Sequence, residues 1–185
     1  MMSTSRLPGR VACLLIAFFA LVAVSPPATG AAASYGLREY RLRFYHTHTR
    51  ESLDIVFRRG ESFVPEAIAQ LDYYLRDHRT GEVTEFDPRL FDLLADLAEA
   101  VGRPDGVIEV ICGYRAPGTN ALLRQHSAGI AEQSLHMQGM AIDIRMRGIR
   151  TSALRDAALA LQRGGVGYYP GSDFVHIDVG RVRSW

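Results

Sequence analysis

Six short segments of the chain carry the apolar pattern of β-strands. Most of them alternate apolar and polar residues, which places one face of a strand in the core and the other outside it. The predicted strands are residues 40–45, 53–57, 107–112, 140–146, 166–169 and 174–179. The first two flank a polar stretch and therefore predict a hairpin.

Four other segments repeat apolar residues every three or four positions, which predicts amphipathic helices. They cover residues 65–77, 88–101, 119–125 and 152–163. Asp87 is a good N-cap for the second helix, Pro88 suits its first turn and Gly102 ends it. Helices followed by mostly hairpin-type strands predict an α+β fold, with an antiparallel β-sheet and flanking helices.

The first 33 residues have the composition of a secretory signal peptide. Arg6 and Arg10 precede an uninterrupted apolar run, residues 11–24, and small alanines at 31–33 offer a cleavage site. The run is shorter than the roughly 20 apolar residues that span a bilayer, so a retained membrane anchor is the weaker alternative. Because the leader has no Arg-Arg pair, we expect the general secretion route. After cleavage we expect no stable membrane insertion.

The remaining residues, 34–185, are enough for one domain with a sizeable core. Removing the leader takes away two arginines and no acidic residue, so the formal net charge falls from +1 to −1. Such a near-neutral chain gives no electrostatic reason to expect nucleic acid as a partner. One cysteine remains, Cys112, which we predict to be a buried thiol in a strand. A nucleophilic role for Cys112 would require a histidine close in space.

Two histidines and an aspartate are placed where they could bind one metal ion. His136 and Asp143 can converge if His136 lies on a loop and Gly139 turns the chain into the strand that presents Asp143. On the last strand, His176 shares a face with Asp178 opposite an apolar face, so this face looks into a cleft. Three protein ligands with one open position is the arrangement of a catalytic zinc ion, Zn²⁺.

Two further residues would complete a hydrolytic site. Zinc lowers the pKa of its bound water to about 7, and a carboxylate must then take the proton and pass it to the leaving amine. Asp173, three positions before His176, is the candidate general base. Arg115 follows the predicted strand 107–112 and is the candidate for holding the scissile carbonyl or a substrate carboxylate.

These motifs resemble those of a known superfamily. The pattern Ser134-x-His136-x-x-Gly139-x-Ala141-x-Asp143, followed by Asp173-x-x-His176, is similar to the zinc peptidases that group lysostaphin, the D-Ala-D-Ala metallopeptidases and the sonic hedgehog domain. Gly113-Tyr114-Arg115 with Asn120 resembles the segment that those peptidases carry upstream. More narrowly, residues 34–185 resemble the murein endopeptidase K-like branch, notably along residues 75–81 and 164–169.

The resemblance implies a fold, a metal site and an activity. It implies a hedgehog and D-Ala-D-Ala-peptidase-like domain with His136, Asp143 and His176 as zinc ligands. It also implies Asp173 as general base and Arg115 as the group that binds the substrate or the transition state. The implied activity is hydrolysis of peptide cross-links in murein, that is, peptidoglycan, with its peptide stems as substrate in the periplasm.

Three alternatives accompany this interpretation. The chain could be a non-catalytic, zinc-containing peptidoglycan-binding domain, since the hedgehog resemblance implies that such a fold can serve binding. Asp178 could be the base in place of Asp173, or it could orient a ligand. A serine hydrolase using Ser134 is disfavoured because no nucleophile-elbow sequence surrounds it.

His46-Thr47-His48 lies in the polar hairpin turn, where we predict solvated side chains.

Overall fold

One eight-stranded sheet forms the centre of the computed structural model, which describes Met1 and residues 37–126 and 129–185. Its strands are β1 (Glu39–His46), β2 (Ser52–Arg59), β3 (Ser62–Phe63), β4 (Val107–Cys112), β5 (Ala141–Met146), β6 (Gly165–Tyr169), β7 (Phe174–Asp178) and β8 (Arg183–Ser184). Their order across the sheet is β3-β2-β1-β4-β5-β7-β6-β8. Apart from Met1, the predicted signal peptide lies outside the described residues.

Most neighbouring strands run antiparallel, and the predicted α+β fold with its antiparallel sheet is confirmed. Two pairs, β1 with β4 and β6 with β8, are parallel and were not predicted. The parallel β1–β4 pair is joined by a long connection that contains two helices, as parallel neighbours require. Along residues 37–126 and 129–185, no helix combines the length and the apolar character needed to cross a membrane.

Four α-helices flank the sheet at the predicted places. They are α1 (Pro65–Tyr74), α2 (Arg89–Ala100), α3 (Pro117–His126) and α4 (Thr151–Leu161). Helix α1 ends earlier than predicted, because the Leu75 carbonyl accepts a hydrogen bond from Tyr114 N at 2.7 Å and the Asp77 amide donates to Glu82 O. Helix α2 has Pro88 as its N-cap, one position after the predicted Asp87, although the Asp87 carboxylate accepts from Arg89 N at 3.0 Å.

The main core lies between helix α2 and the sheet. Leu90, Leu94 and Leu97 of α2 are completely buried, as are Phe57 of β2 and Ile144 of β5. Burying side chains of this size contributes roughly 1.5–3 kcal/mol each. The opposite face of β5 and β7 is thereby left free to carry polar side chains, and the strands that carry them are fixed by the core beneath.

The prediction of a solvated His46 is wrong, whereas His48 is exposed as predicted. His46 is fully buried, and its Nδ1 accepts hydrogen bonds from the amides of His48 and Thr49. Its ring packs edge-on against Tyr74. The strand pattern of Leu42 and Phe44 simply continues to position 46, so the turn starts one residue later than the polar composition suggests.

Folding stability should fall as the pH drops from about 6.5 toward 4, because two histidines are held neutral in the folded chain. Burial and the neighbouring His78 and His48 lower the pKa of His46 to about 4. Burial and His48 likewise lower the pKa of His78 to about 4. In the unfolded chain a histidine takes up its proton near pH 6.5, so acid favours unfolding across this window.

Urea unfolding at several pH values between 7.5 and 4.5 measures this effect. The His46→Asn variant, whose amide oxygen can replace the Nδ1 acceptor, should lose stability less steeply with falling pH. His126→Gln, changed at an exposed position on α3, is the matched control and should keep the wild-type slope. An unchanged slope in His46→Asn would contradict the assignment.

Candidate metal centre

His136 lies in a short 3-10 helix, Leu135–Gln138, which is capped at its start by Ser134 and at its end by Gly139. The Ser134 hydroxyl caps it by accepting from His136 N at 3.3 Å, as expected for a residue near the metal loop. Gly139 ends it with φ at 63°, a conformation that side chains other than glycine rarely adopt. A Cβ on Gly139 would also lie 2.2 Å from the Glu85 carbonyl oxygen. Glycine therefore allows the turn that leads from His136 into β5.

Asp143 and His176 are direct partners in the sheet. Asp143 lies on β5 and His176 on β7, and the antiparallel register places them opposite each other. Opposite residues on one face have Cβ atoms roughly 4.5–5.5 Å apart. The sheet thus positions two of the predicted ligands, and the 3-10 helix brings His136 above them.

Three atoms of these side chains form a small triangle. His136 Nε2 lies 3.2 Å from Asp143 Oδ1 and 3.1 Å from His176 Nδ1, and the last two atoms are 2.9 Å apart. Ligands at about 2.0–2.1 Å from a tetrahedral ion are separated by about 3.3–3.4 Å. The triangle is therefore close to the size that one metal ion would cap, and the nitrogen and oxygen donors suit a divalent ion such as zinc.

The far nitrogen of each imidazole is hydrogen-bonded, which fixes the ring orientation. His136 Nδ1 donates to the Gly113 carbonyl at 2.8 Å, and His176 Nε2 donates to Asp178 Oδ2 at 3.0 Å. These bonds assign the tautomers that leave His136 Nε2 and His176 Nδ1 as lone-pair donors toward the centre. Outer partners of this kind orient metal-binding histidines and raise their basicity.

Asp178 is completely buried beneath His176. Its carboxylate accepts hydrogen bonds from the amides of Gly165 and Gly180 and from two nitrogens of Arg183. Burial by itself would raise the pKa of Asp178, but the bonds from His176 and Arg183 and from the two amides hold it well below its usual range. Of the two roles left open for Asp178, these contacts favour orientation of His176.

The centre attracts positive charge. Burial opposes protonation of His136, yet the Asp143 carboxylate and the nearby Cys112 outweigh burial and raise the pKa of His136 to about 10. Burial raises the pKa of Asp143, but the two imidazoles hold it well below its usual range. A proton or a metal cation satisfies the same carboxylate, so the electrostatics agree with a cation-binding role.

Cys112 lies beside this triangle as a free, buried thiol, as predicted. Its Sγ and one ligand atom each of His136 and Asp143 all lie within 4.8 Å of one another, so these three residues also form a buried group that could bind a metal. The two separations that include His176, 2.9 and 3.1 Å, are shorter and favour the site formed with His176. A Cys–His nucleophile is disfavoured, because His136 Nδ1 is bonded to the Gly113 carbonyl and its Nε2 points into the triangle with Asp143 and His176.

Arg115 is buried next to the triangle with incomplete hydrogen bonding. Its guanidinium lies 3.7 Å from Asp143 Oδ2 and 3.4 Å from Asn120 Oδ1, both long contacts. Its Nε has no hydrogen-bond partner among residues 37–126 and 129–185. A buried guanidinium with unused donors commonly serves a ligand, because unpaired buried polar atoms are unfavourable.

The triangle and Arg115 line a cleft of about 410 Å³. One wall is the segment 129–135, which leads into the 3-10 helix. The other wall is aromatic and consists of Tyr169, Phe174 and Trp185. The cleft therefore gives a ligand access to the ion-sized triangle from outside.

Asp173 is not among the residues that line this cleft. Its side chain is 64 % exposed at the start of β7, and its carboxylate accepts a hydrogen bond from Thr151 Oγ1 at 3.0 Å. Arg145 Nη1 lies 3.9 Å from its other oxygen. The structure thus gathers His136, Asp143, His176 and Arg115, and it places Asp173 outside that group.

Two histidines and a carboxylate at the base of a cleft in an α+β domain fit the class of the metallopeptidases. The sequence profile of the family described as peptidoglycan L,D-endopeptidase MepK matches residues 33–185. The chain belongs to this family.

Two curated relatives support the assignment. The chain is 42 % identical over 144 residues to the probable peptidoglycan L,D-endopeptidase MepK of Haemophilus influenzae, covering 78 % of this chain and 77 % of the relative. It is also 42 % identical over 144 residues to the peptidoglycan L,D-endopeptidase MepK of Escherichia coli K12, covering 78 % and 79 % of the two chains.

Proposed function

We propose that the chain is a zinc-dependent endopeptidase that hydrolyses peptide cross-links of peptidoglycan. The observation that carries the proposal is the triangle of His136 Nε2, Asp143 Oδ1 and His176 Nδ1, with edges of 2.9–3.2 Å at the base of an open cleft. Family membership adds the substrate class, because the relatives are named as peptidoglycan endopeptidases.

His136, Asp143 and His176 would hold the metal, and their donor set of two imidazoles and one carboxylate favours zinc. When bound, zinc supplies a water of lowered pKa and polarises the scissile carbonyl. Asp178 and the Gly113 carbonyl keep the two imidazoles aligned for this task. The three protein ligands leave a position open, as a catalytic site requires.

Arg115 would stabilise negative charge that develops on the substrate. Its contacts to Asp143 and Asn120 are long, so the terminal nitrogens of the guanidinium are available at the cleft. Such a donor acts on the oxygen of the attacked carbonyl or on a neighbouring substrate carboxylate. A buried, pre-oriented guanidinium needs little reorganisation during the reaction.

The Arg115→Ala variant should lose about 10²–10³-fold in kcat/KM, the effect of removing one donor to a developing charge. Arg115→Lys should recover only part of this loss, since a single ammonium does not reproduce the guanidinium fork. Steady-state hydrolysis of purified cross-linked muropeptides measures both variants. The control is Arg103→Ala, at an exposed position before β4, and wild-type rates in Arg115→Ala would remove Arg115 from the site.

Asp173 would take the proton of the attacking water and pass it to the leaving amine. Its exposed carboxylate lies at the start of β7 outside the cleft, where it accepts from Thr151 and lies near Arg145, so this role requires the side chain to turn toward the bound substrate. Asp178 is less suited to this role, because five hydrogen bonds occupy its oxygens. Proton transfer also requires approach to the substrate, which a completely buried carboxylate does not allow.

A non-catalytic, zinc-containing binding domain is the rival function, and Cys112 is the observation that favours it. If Cys112 joined the three ligands, the site would be closed like a structural zinc site. Cobalt substitution tests this, because a thiolate ligand gives an intense charge-transfer band that imidazole and carboxylate ligands lack. We expect no such band in wild type and the same spectrum in Cys112→Ser.

Digestion of isolated peptidoglycan tests the function directly. Zinc-loaded protein should convert cross-linked muropeptides into monomers, and mass spectrometry of the products identifies the bond that is cut. The His176→Ala protein should release no product. If the wild type binds peptidoglycan but releases no product, the proposed enzymatic function is wrong and the binding-domain function is favoured.

The place of action is the cell envelope, and we infer export through the predicted leader. N-terminal sequencing of protein recovered from the periplasm should begin near Ser34. We expect cleavage there because the leader has a basic start, an apolar run and small residues at its end. A full-length chain retained in the membrane fraction would contradict cleavage and support the anchor.

A further inference from the structure

The aromatic wall of the cleft, formed by Tyr169, Phe174 and Trp185, is a continuous structure built around a metal ligand. The Trp185 indole packs 5.2 Å from the His176 ring, centroid to centroid. Its Nε1 donates to the Tyr169 hydroxyl at 2.8 Å. The Tyr169 ring in turn stacks on Phe174 at 4.5 Å. The wall therefore extends from the metal centre to the rim of the cleft.

The backbone of Trp185 is held in register by β6. Trp185 O accepts from Tyr168 N at 3.0 Å, and Trp185 N donates to Val166 O at 3.3 Å. Gly167 on β6 makes room for the indole, since a Cβ there would lie 2.6–2.9 Å from three indole atoms. The sheet and a missing side chain thus fix the position of the ring.

Trp185 is nevertheless half exposed, at 51 % of its residue surface. A large apolar ring that is fixed in place, exposed and next to a metal centre offers a binding surface, because covering it removes apolar area from water. Arg183 stacks on it with its guanidinium carbon 4.9 Å from the ring centroid, and both side chains line the cleft.

We propose that Trp185 binds the peptide stem of the substrate next to the scissile bond, an inference that rests on the proposed function. The ring is one side chain away from the metal ligand His176, so it contacts the residues that flank the attacked bond. In a peptide cross-link those residues belong to the stem, and the glycan lies farther away. Trp185 is therefore a substrate-binding residue that governs affinity, and Gly167 is the residue that positions it.

Trp185 is also the one tryptophan of the chain, so fluorescence excited at wavelengths that tyrosine does not absorb reports on this position alone. Zinc-loaded wild-type protein is titrated with uncross-linked muropeptides, which carry the stem but no bond to cut. We expect a saturable change in emission. The free disaccharide that lacks a stem should give no change, and a saturable response to it would overturn the assignment to the peptide.

Kinetics on cross-linked muropeptides provide the second measurement. Trp185→Leu should raise KM about tenfold, the effect of losing one favourable aromatic contact, with kcat within about threefold of wild type. Trp185→Phe should recover most of the affinity. Zinc content should equal that of wild type in both variants, and a loss of zinc together with kcat would show a purely structural role and overturn the proposal.

Gly167→Ala tests the same wall with the tryptophan retained. The new Cβ should displace the indole, shift its emission and raise KM, whereas Gly171→Ala is the control because its Cβ would meet nothing within 4 Å. If wild type hydrolyses muropeptides but neither KM nor emission responds, the inference fails alone. If emission responds to the stem but no hydrolysis occurs, the proposed enzyme fails and the binding site stands.

Discussion

Replacing His136 with alanine is expected to remove both metal binding and hydrolysis. His136 supplies the atom that closes the triangle with Asp143 Oδ1 and His176 Nδ1, at 3.2 and 3.1 Å. Loss of an outer partner of a ligand typically lowers metal affinity 10–100-fold, so loss of the ligand itself should exceed about 100-fold. The rate of muropeptide cleavage should fall to background, because zinc is needed to activate water.

Elemental analysis after dialysis, together with the rate of cleavage, measures this prediction. Wild type should retain about one zinc per chain and His136→Ala close to none. The matched control is His126→Ala, in which an exposed histidine of α3 is removed. Circular dichroism and an unfolding curve establish that both variants are folded. Undiminished zinc in His136→Ala would remove this residue from the ligand set.

The sequence predicted the elements well because apolar periodicity records burial. Helix α2, for example, has its apolar positions, Pro88 at its start and Gly102 after its end within the chain segment itself. The direction of pairing carries no such local signal. Strand β1 lies parallel to β4, with Phe44 opposite Ile108, across a connection that contains β2, β3, α1 and α2. Strand β8, with two residues, is too short for any periodicity to show.

The same contrast holds for the site. Convergence of His136 and Asp143 was predictable, because Gly139 between them indicates a turn before a strand. The Cys112–Asp143 pairing in the sheet and the half-exposed Trp185 beside His176 were not, because both depend on contacts between segments that are distant in sequence. Asp173 shows the limit most clearly, since spacing from His176 gives its distance along the strand and not the direction of its carboxylate.

Asp173 is the proposed general base, and its replacement should separate catalysis from metal binding. Its backbone has φ at 53°, a conformation that aspartate tolerates. The Thr151 hydroxyl donates a hydrogen bond to Asp173 Oδ1 at 3.0 Å. Asp173→Asn preserves the shape and an oxygen for Thr151 but removes the base. We expect kcat to fall about 10²–10⁴-fold, the effect of losing a general acid–base group.

Zinc content and KM of Asp173→Asn should stay near the wild-type values, because Asp173 contacts none of the three ligands in the described structure. Asp156→Asn on α4 is the matched control, since its side chain is 65 % exposed against 64 % for Asp173. Asp173→Glu should keep part of the activity, because it retains a carboxylate. If Asp173→Asn cleaves muropeptides at the wild-type rate, another group accepts the proton, and the general-base assignment is wrong.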